Sequence, residues 1–247
     1  MKILVCGCSF SSGWGFDNGI NDVNIWPNIL ANNLNAEITN LSVTGCDNTE
    51  IFLNSLTASQ TQNYDKIIVQ WTSLDRIIMT PLSEYYTMIN NNNPHPKINN
   101  TDYRQFYKVF LELNGMQAHW NRFCKMVNIL QSYNNVYFVN GLLPWNQKLF
   151  DKNTTLEDCA KDKFLSSLLQ IENEWIPDLG IQAEWIPEPV WNNIKTQVQT
   201  LNLKKWINLF NSMQSLKVDQ ISSTDLHPGI QSHQIFANCV SEYFLDK

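Results

Sequence analysis

The chain has 247 residues, 43% of them hydrophobic and 16% charged, with a formal net charge of −6. Those values fit a globular protein able to bury its own core and exclude a disordered or low-complexity chain. The acidic balance gives no electrostatic reason to bind nucleic acid or an anionic membrane leaflet, so neither is expected as a partner.

At the N-terminus, MKILVCGCSF has one lysine and a few apolar residues before small and polar ones. That run is too short for the core of a signal peptide, and its β-branched residues predict a first strand over Lys2–Gly7. No apolar run reaches membrane-spanning length, so a cytoplasmic location is expected, or export by a route that leaves no N-terminal signal. Trp26, Ile29, Leu30 and Leu34 fall at helical spacing, and Glu37–Ser42 reads as a second strand. A helix over Thr49–Ser59 carries Ile51, Leu53 and Leu56. Lys66–Trp71 is a third strand, apolar on both faces. A β-α-β-α-β order of this kind implies a parallel sheet covered by helices.

The middle of the chain is less regular. Residues 80–101 hold Pro81, Pro94, Pro96 and an asparagine run, which predict a loop or lid. Tyr103–Tyr133 reads as a long amphipathic helix weakened at Gly115, and Val136–Asn140 as a fourth strand. Residues 146–215 read as helical, interrupted by Pro177, Pro187 and Pro189. Trp145, Trp175, Trp185, Trp191 and Trp206 make this region aromatic-rich. Such residues serve as packing anchors or as a stacking wall for sugar rings. Ile235, Phe236, Val240 and Phe244 predict a closing helix over Gln231–Leu245. The organisation expected is one domain over 1–247, with insert segments at 80–101 and 146–215.

Six cysteines (Cys6, Cys8, Cys46, Cys124, Cys159, Cys239) are scattered without the C-x-x-C pairing of a zinc site. They read as buried free thiols, and neither a metal nor another cofactor is expected.

Two stretches can carry chemistry. Gly7-Cys8-Ser9-Phe10-Ser11-Ser12-Gly13 follows the first strand directly. In a parallel α/β sheet, loops at the carboxyl ends of strands gather ligands, so a serine there meets substrate. The bland alternative is a turn built from small residues. The second stretch is Ser223-Thr224-Asp225-Leu226-His227-Pro228-Gly229. A serine hydroxyl needs a base to remove its proton, which histidine does near neutral pH, and a carboxylate fixes the imidazole tautomer. Asp225 and His227 sit two apart in a loop that Pro228 keeps from becoming helix. His95, His119 and His233 read instead as surface or core-packing residues.

These blocks resemble the SGNH hydrolases, or GDSL-like esterases and lipases, along nearly the whole chain. The family's G-D-S-x-S block matches Gly7-Cys8-Ser9-Phe10-Ser11, with Cys8 in place of the aspartate. Its N-x-x-x-x-G block matches Asn40–Gly45, and its closing aspartate and histidine match Asp225 and His227. The resemblance implies a flavodoxin-like three-layer α/β/α sandwich with a mainly parallel sheet and helical insertions. It also implies ester hydrolysis through an acyl-enzyme on Ser9, with His227 as base and the backbone N–H groups of Ser9 and Gly45 receiving the oxyanion. The third family block, G-x-N-D, falls on Thr72-Ser73-Leu74-Asp75-Arg76, where Leu74 replaces the asparagine donor. Asn48 is the first substitute, with Ser73 and Thr72 behind it. The usual D-x-x-H spacing would put Thr224 at the acid position, and Asp225 stands in one residue later. Asp75 and Arg76 read as surface charges or as partners for a substrate carboxylate.

The function expected is a serine esterase acting on a short-chain acyl ester, such as an acetyl group on a carbohydrate or other small molecule. The alternative is a binding or accessory protein on the same fold with catalysis weakened or lost, motivated by Cys8 and Leu74. A nucleotide-binding reading is disfavoured, because the Gly7–Gly13 loop has neither G-x-G-x-x-G nor a Walker lysine.

Overall fold

The structure, a computed structural model, describes residues 1–61, 63–72, 77–79, 87–89, 120–142, 188–207 and 212–245. The chain divides into two compact units, 1–73 with 129–143 and 202–247, and 74–128 with 144–201.

The first unit is built on five parallel strands: β1 (Lys2–Cys6), β2 (Glu37–Asn40), β3 (Lys66–Trp71), β6 (Val136–Asn140) and β7 (Trp206–Ile207). Their spatial order is β2-β1-β3-β6-β7, the doubly wound order of flavodoxin-like folds. Leu4 lies opposite Thr39 on one side and Ile67 on the other, and Val69 lies opposite Phe138. Strands paired on both sides and covered on both faces need continuous apolar runs. Ile3, Leu4, Val5, Ile67, Ile68, Val69, Phe138 and Val139 are all buried. Each contributes about 1.5–3 kcal/mol of transfer free energy.

The crossover helices follow from that order. A short helix α1 (Ser9–Ser12) leaves β1, then α2 (Trp26–Asn33) leads to β2 and α3 (Asn48–Thr61) leads to β3. The chain moves outward from β1 to β2 and then back past β1 to β3. Right-handed crossovers running in opposite directions must lie on opposite faces, which gives the three-layer sandwich. α3 packs on β3 and β1, whereas α2 packs against the closing helix α6 (Ile230–Leu245). Trp26 and Phe236 meet edge to face at 5.2 Å in that helix pair. No side chain of Ile25 caps α2; the Nδ1 of His233 on α6 accepts the Trp26 N–H at 2.9 Å instead.

In the second unit, β4 (Ile77–Met79) and β5 (Thr87–Ile89) pair antiparallel. Helix α4 covers residues 120–130, of which 120–128 belong to this unit, and α5 is Glu188–Val198. The side chain of Gln197 donates to Asn121, and Asn128 donates to Thr200 at 3.1 Å.

Several expectations need correction. The segment read as loop or lid contains a strand, Thr87–Ile89. The region read as helical to residue 215 holds a helix ending at Val198 and then the edge strand Trp206–Ile207, which joins the main sheet. Trp206 is buried against Phe138, ring centroids 5.1 Å apart, and is a packing residue. Trp145, Trp175, Trp185, His95, His119 and Cys159 lie outside the described residues. Cys6, Cys8, Cys46 and Cys124 are buried thiols outside any disulfide, as expected, whereas Cys239 is only half-buried.

Candidate active site

β1 and β3 are the neighbours between which the doubly wound chain reverses, so their carboxyl ends border the crevice where such folds bind ligands. α1 begins there with Ser9. Its N-cap, Cys8, is extended (φ −99°, ψ −157°), and Gly13 ends it in the left-handed region at φ 75°. A kink this tight needs small residues beneath it. A Cβ on Gly7 would lie 2.6 Å from the Ser11 hydroxyl and 2.9 Å from Gln70 Oε1. Ser11 donates to Gln70 Oε1 and accepts the Trp26 indole N–H at 3.1 Å, while Gln70 Nε2 reaches Met213 Sδ at 3.6 Å. This buried polar chain fixes α1 against the central strand.

The loop after β2 is tied to the same place. Asn40 donates to the Ser11 carbonyl at 2.7 Å and its Oδ1 accepts the Ser42 N–H at 3.1 Å. The Val43 N–H and the Cys46 thiol both donate to the Gly7 carbonyl, at 3.0 and 3.2 Å. The hydroxyls of Ser12 and Thr44 share a hydrogen bond of 2.6 Å. Gly45 follows at φ 84°, a conformation that favours glycine. The asparagine and glycine of the second block thus bring their loop alongside α1.

The acid–base loop is held by its own hairpin. The Ile221 N–H donates to the His227 carbonyl at 3.0 Å, and Gln220 bridges Pro228. Asp219 accepts the N–H groups of Gln231 and Ser232 at 2.9 and 2.8 Å, so it caps α6 and anchors the loop to it. The outcome is a continuous hydrogen-bonded line. His227 Nε2 lies 3.1 Å from Ser9 Oγ, and His227 Nδ1 lies 2.6 Å from Asp225 Oδ1. Oδ1 also accepts the His227 backbone N–H at 3.0 Å, and Oδ2 accepts the Trp14 indole N–H at 3.1 Å. Phe10 stands edge-on to the imidazole at 5.5 Å.

Burial works against ionising Asp225. The His227 backbone N–H, the imidazole and the Trp14 indole more than offset it, and hold the carboxyl below the usual carboxylate range. Ser9 is nearly buried, and the side chains of Asp225 and His227 are part exposed. Two residues 218 positions apart in sequence are therefore brought within hydrogen-bonding distance of each other.

Asn48 is buried at the start of α3. Its Nδ2 donates to the Thr72 carbonyl at 3.0 Å, and its Oδ1 accepts the Thr72 N–H at 2.9 Å. Thr72 itself is fully buried. Ser73, Leu74, Asp75 and Arg76 lie outside the described residues. His233 is core, as expected, with its ring edge-on to Phe16 at 5.0 Å. Two contributors were missed from sequence. Gln70 could have been noticed as the one polar residue inside a buried strand. Trp14 gave no signal beyond its flanking glycines.

No protein-family model matches the chain, and no curated protein matches it in sequence. Solved structures do. The chain is similar in structure to G-D-S-L and SGNH hydrolases. A member of the lipolytic G-D-S-L family from Veillonella parvula matches at 13% identity and TM-score 0.45, over 100% of both chains. A catalytic mutant of an acetylxylan esterase from Geobacillus stearothermophilus matches at 10% identity and TM-score 0.48, over 98% of this chain and 93% of that one. An α/β hydrolase from the metagenome of Lake Arreo matches at 10% identity and TM-score 0.47, over 98% and 94%. Among the described residues, no helix is long and apolar enough to cross a membrane, and no group of three or more candidate ligands could hold a metal ion.

Proposed function

We propose that this protein is a serine esterase that removes a short acyl group through an acyl-enzyme on Ser9. The observation that carries the reading is the unbroken line Ser9–His227–Asp225, with contacts of 3.1 and 2.6 Å. The Ser9 hydroxyl gives its proton to His227 Nε2 as Oγ attacks the acyl carbonyl, and Asp225 stabilises the imidazolium that forms. Collapse of the tetrahedral intermediate expels the alcohol, which takes the proton from Nε2. Water then attacks the acyl-enzyme with His227 again as base, releasing the carboxylic acid and restoring Ser9.

Charge on the tetrahedral oxygen is received by the N–H of Ser9 and the N–H of Gly45. Ser9 opens α1, and first-turn amides have no acceptor within their own helix. The third donor is assigned to Asn48, which opens α3 three residues after Gly45 and whose amide is held against the end of β3 by the backbone of Thr72. The near-burial of Ser9 beside Phe10 supports a small acyl group. The exposed hydroxyls of Ser222, Ser223 and Thr224 on the acid loop support a hydroxyl-rich alcohol, such as a sugar.

Hydrolysis of a short p-nitrophenyl ester and of acetylated sugars tests the reading, with Ser9→Ala as control. The variant should show no turnover above background. Undiminished turnover in Ser9→Ala would refute the assignment, and a folded wild-type chain inert to every ester would favour a binding protein on this scaffold.

A further inference from the structure

Asp225 has three hydrogen-bond donors, and one is an indole brought in from 211 residues away. The His227 backbone N–H and the His227 ring both use Oδ1, so both come from the residue that Asp225 must orient. Only the Trp14 Nε1–H, at 3.1 Å from Oδ2, comes from a separate element among these three. A carboxylate held through one oxygen turns about its Cβ–Cγ bond; held through both, its plane is fixed.

The chain around Trp14 is shaped for that contact. Gly13 and Gly15 flank it, both with positive φ (75° and 82°). Trp14 N–H donates to the Ser9 carbonyl at 3.4 Å, so its backbone is tied to the residue carrying the nucleophile. A Cβ on Gly15 would meet Ile221 at 3.0 Å and Asp225 Oδ2 at 3.3 Å, which leaves glycine as the residue that lets this turn lie against the acid loop. Trp14 is 50% exposed, so burial in a core does not account for its place. Its ring sits tilted against the imidazole, centroids 6.1 Å apart.

We infer that Trp14 is a positioning residue of the active site, fixing the plane of the Asp225 carboxylate so that Oδ1 faces His227 Nδ1. The inference rests on the esterase reading for its kinetic consequence but not for its structural one. Asp225 lies two residues before His227, and its Oδ1 also accepts the backbone N–H of that residue. The indole supplies the restraint from the other side. Its effect belongs to the step in which imidazolium forms, when a misaligned carboxylate is costly, and not to substrate binding.

The test uses the full chain with Trp14→Phe, and with Trp14 replaced site-specifically by benzothienylalanine, which keeps the bicyclic shape and lacks the N–H. Two readouts are compared: kcat and KM on a short p-nitrophenyl ester, and the deshielded His227 Nδ1–H proton in NMR spectra. The expected result is roughly a tenfold lower kcat, the scale of one hydrogen bond to a charged group, with KM changed less than about twofold. The Nδ1–H resonance should move or broaden away in both replacements. In an Asp225→Asn background, removing the indole N–H should have no further effect on kcat. Unchanged kcat and an unchanged resonance would overturn the inference, as would an equal loss in the Asp225→Asn background, which would place the indole on the substrate. Should the wild-type chain turn over no ester at all, the esterase reading fails by itself, and the resonance still decides the role of Trp14.

Discussion

His227 and His233 lie six residues apart and show how environment separates two chemically identical side chains. His233 is buried, and that burial pushes its pKa down to about 4, against the opposing pull of Asp219 and Asp22. In the unfolded chain the ring protonates near 6.5, so the unfolded state binds the extra proton first. Stability from the neutral buried ring is therefore complete above about pH 6.5 and lost as pH falls toward 4, on the order of 3 kcal/mol in all. Urea midpoints measured from pH 7 to pH 4.5 should fall, and His233→Gln should flatten that part of the slope. An identical slope in the variant would assign the acid sensitivity elsewhere. Asp225 behaves in the opposite sense: its lowered pKa favours the ionised carboxylate beside the His227 ring. Asp225→Asn should lower kcat by about three to four orders of magnitude with the fold intact. At this scale Ser9, Asp225 and His227 stood out in the sequence as candidates, because a nucleophile, a base and an acid each need a specific residue type. Trp14 was not readable, since its significance exists only once positions 14 and 225 meet.

The elements that position the site are held by close approach as much as by propensity. Gly7 joins β1 to α1 with no room for a methyl group, so Gly7→Ala should destabilise the protein by about 1–3 kcal/mol and reduce activity by displacing Ser9. Thermal melts alongside ester turnover check both effects; a variant with wild-type melting and activity would show that the α1 turn is more pliable than described. Asp219 does the same at the other end of the site, capping α6 through two N–H groups. Asp219→Ala should cost about 1–2 kcal/mol, the ordinary worth of a helix cap, measured as a shift in denaturation midpoint. β3 and β6 fall where the apolar runs placed them, because a strand paired on both sides declares itself by composition. β7 did not, since two residues carry no period. α1 read as loop for a related reason: serine and glycine favour turns, and a four-residue helix is decided by packing under Trp26 and Gln70 rather than by its own sequence.

For the whole molecule, the alternation of strand and helix in the first third of the chain was enough to imply the parallel sheet. Sequence alone did not give the spatial order β2-β1-β3-β6-β7, which depends on the reversal between the first and second crossovers. That reversal matters for function because it opens the crevice at the ends of β1 and β3. The first block then lies at the crevice, the second block lies beside it through Asn40, and the hairpin before α6 brings the acid and base across. We propose that this convergence activates the Ser9 hydroxyl. Reaction of the folded chain with a fluorophosphonate probe, followed by peptide mapping, tests it most directly, because only an activated serine is labelled. One modified residue is expected, Ser9, with labelling lost in His227→Ala. A folded protein that resists the probe, or that is labelled at another serine while Ser9 stays unmodified, would contradict it.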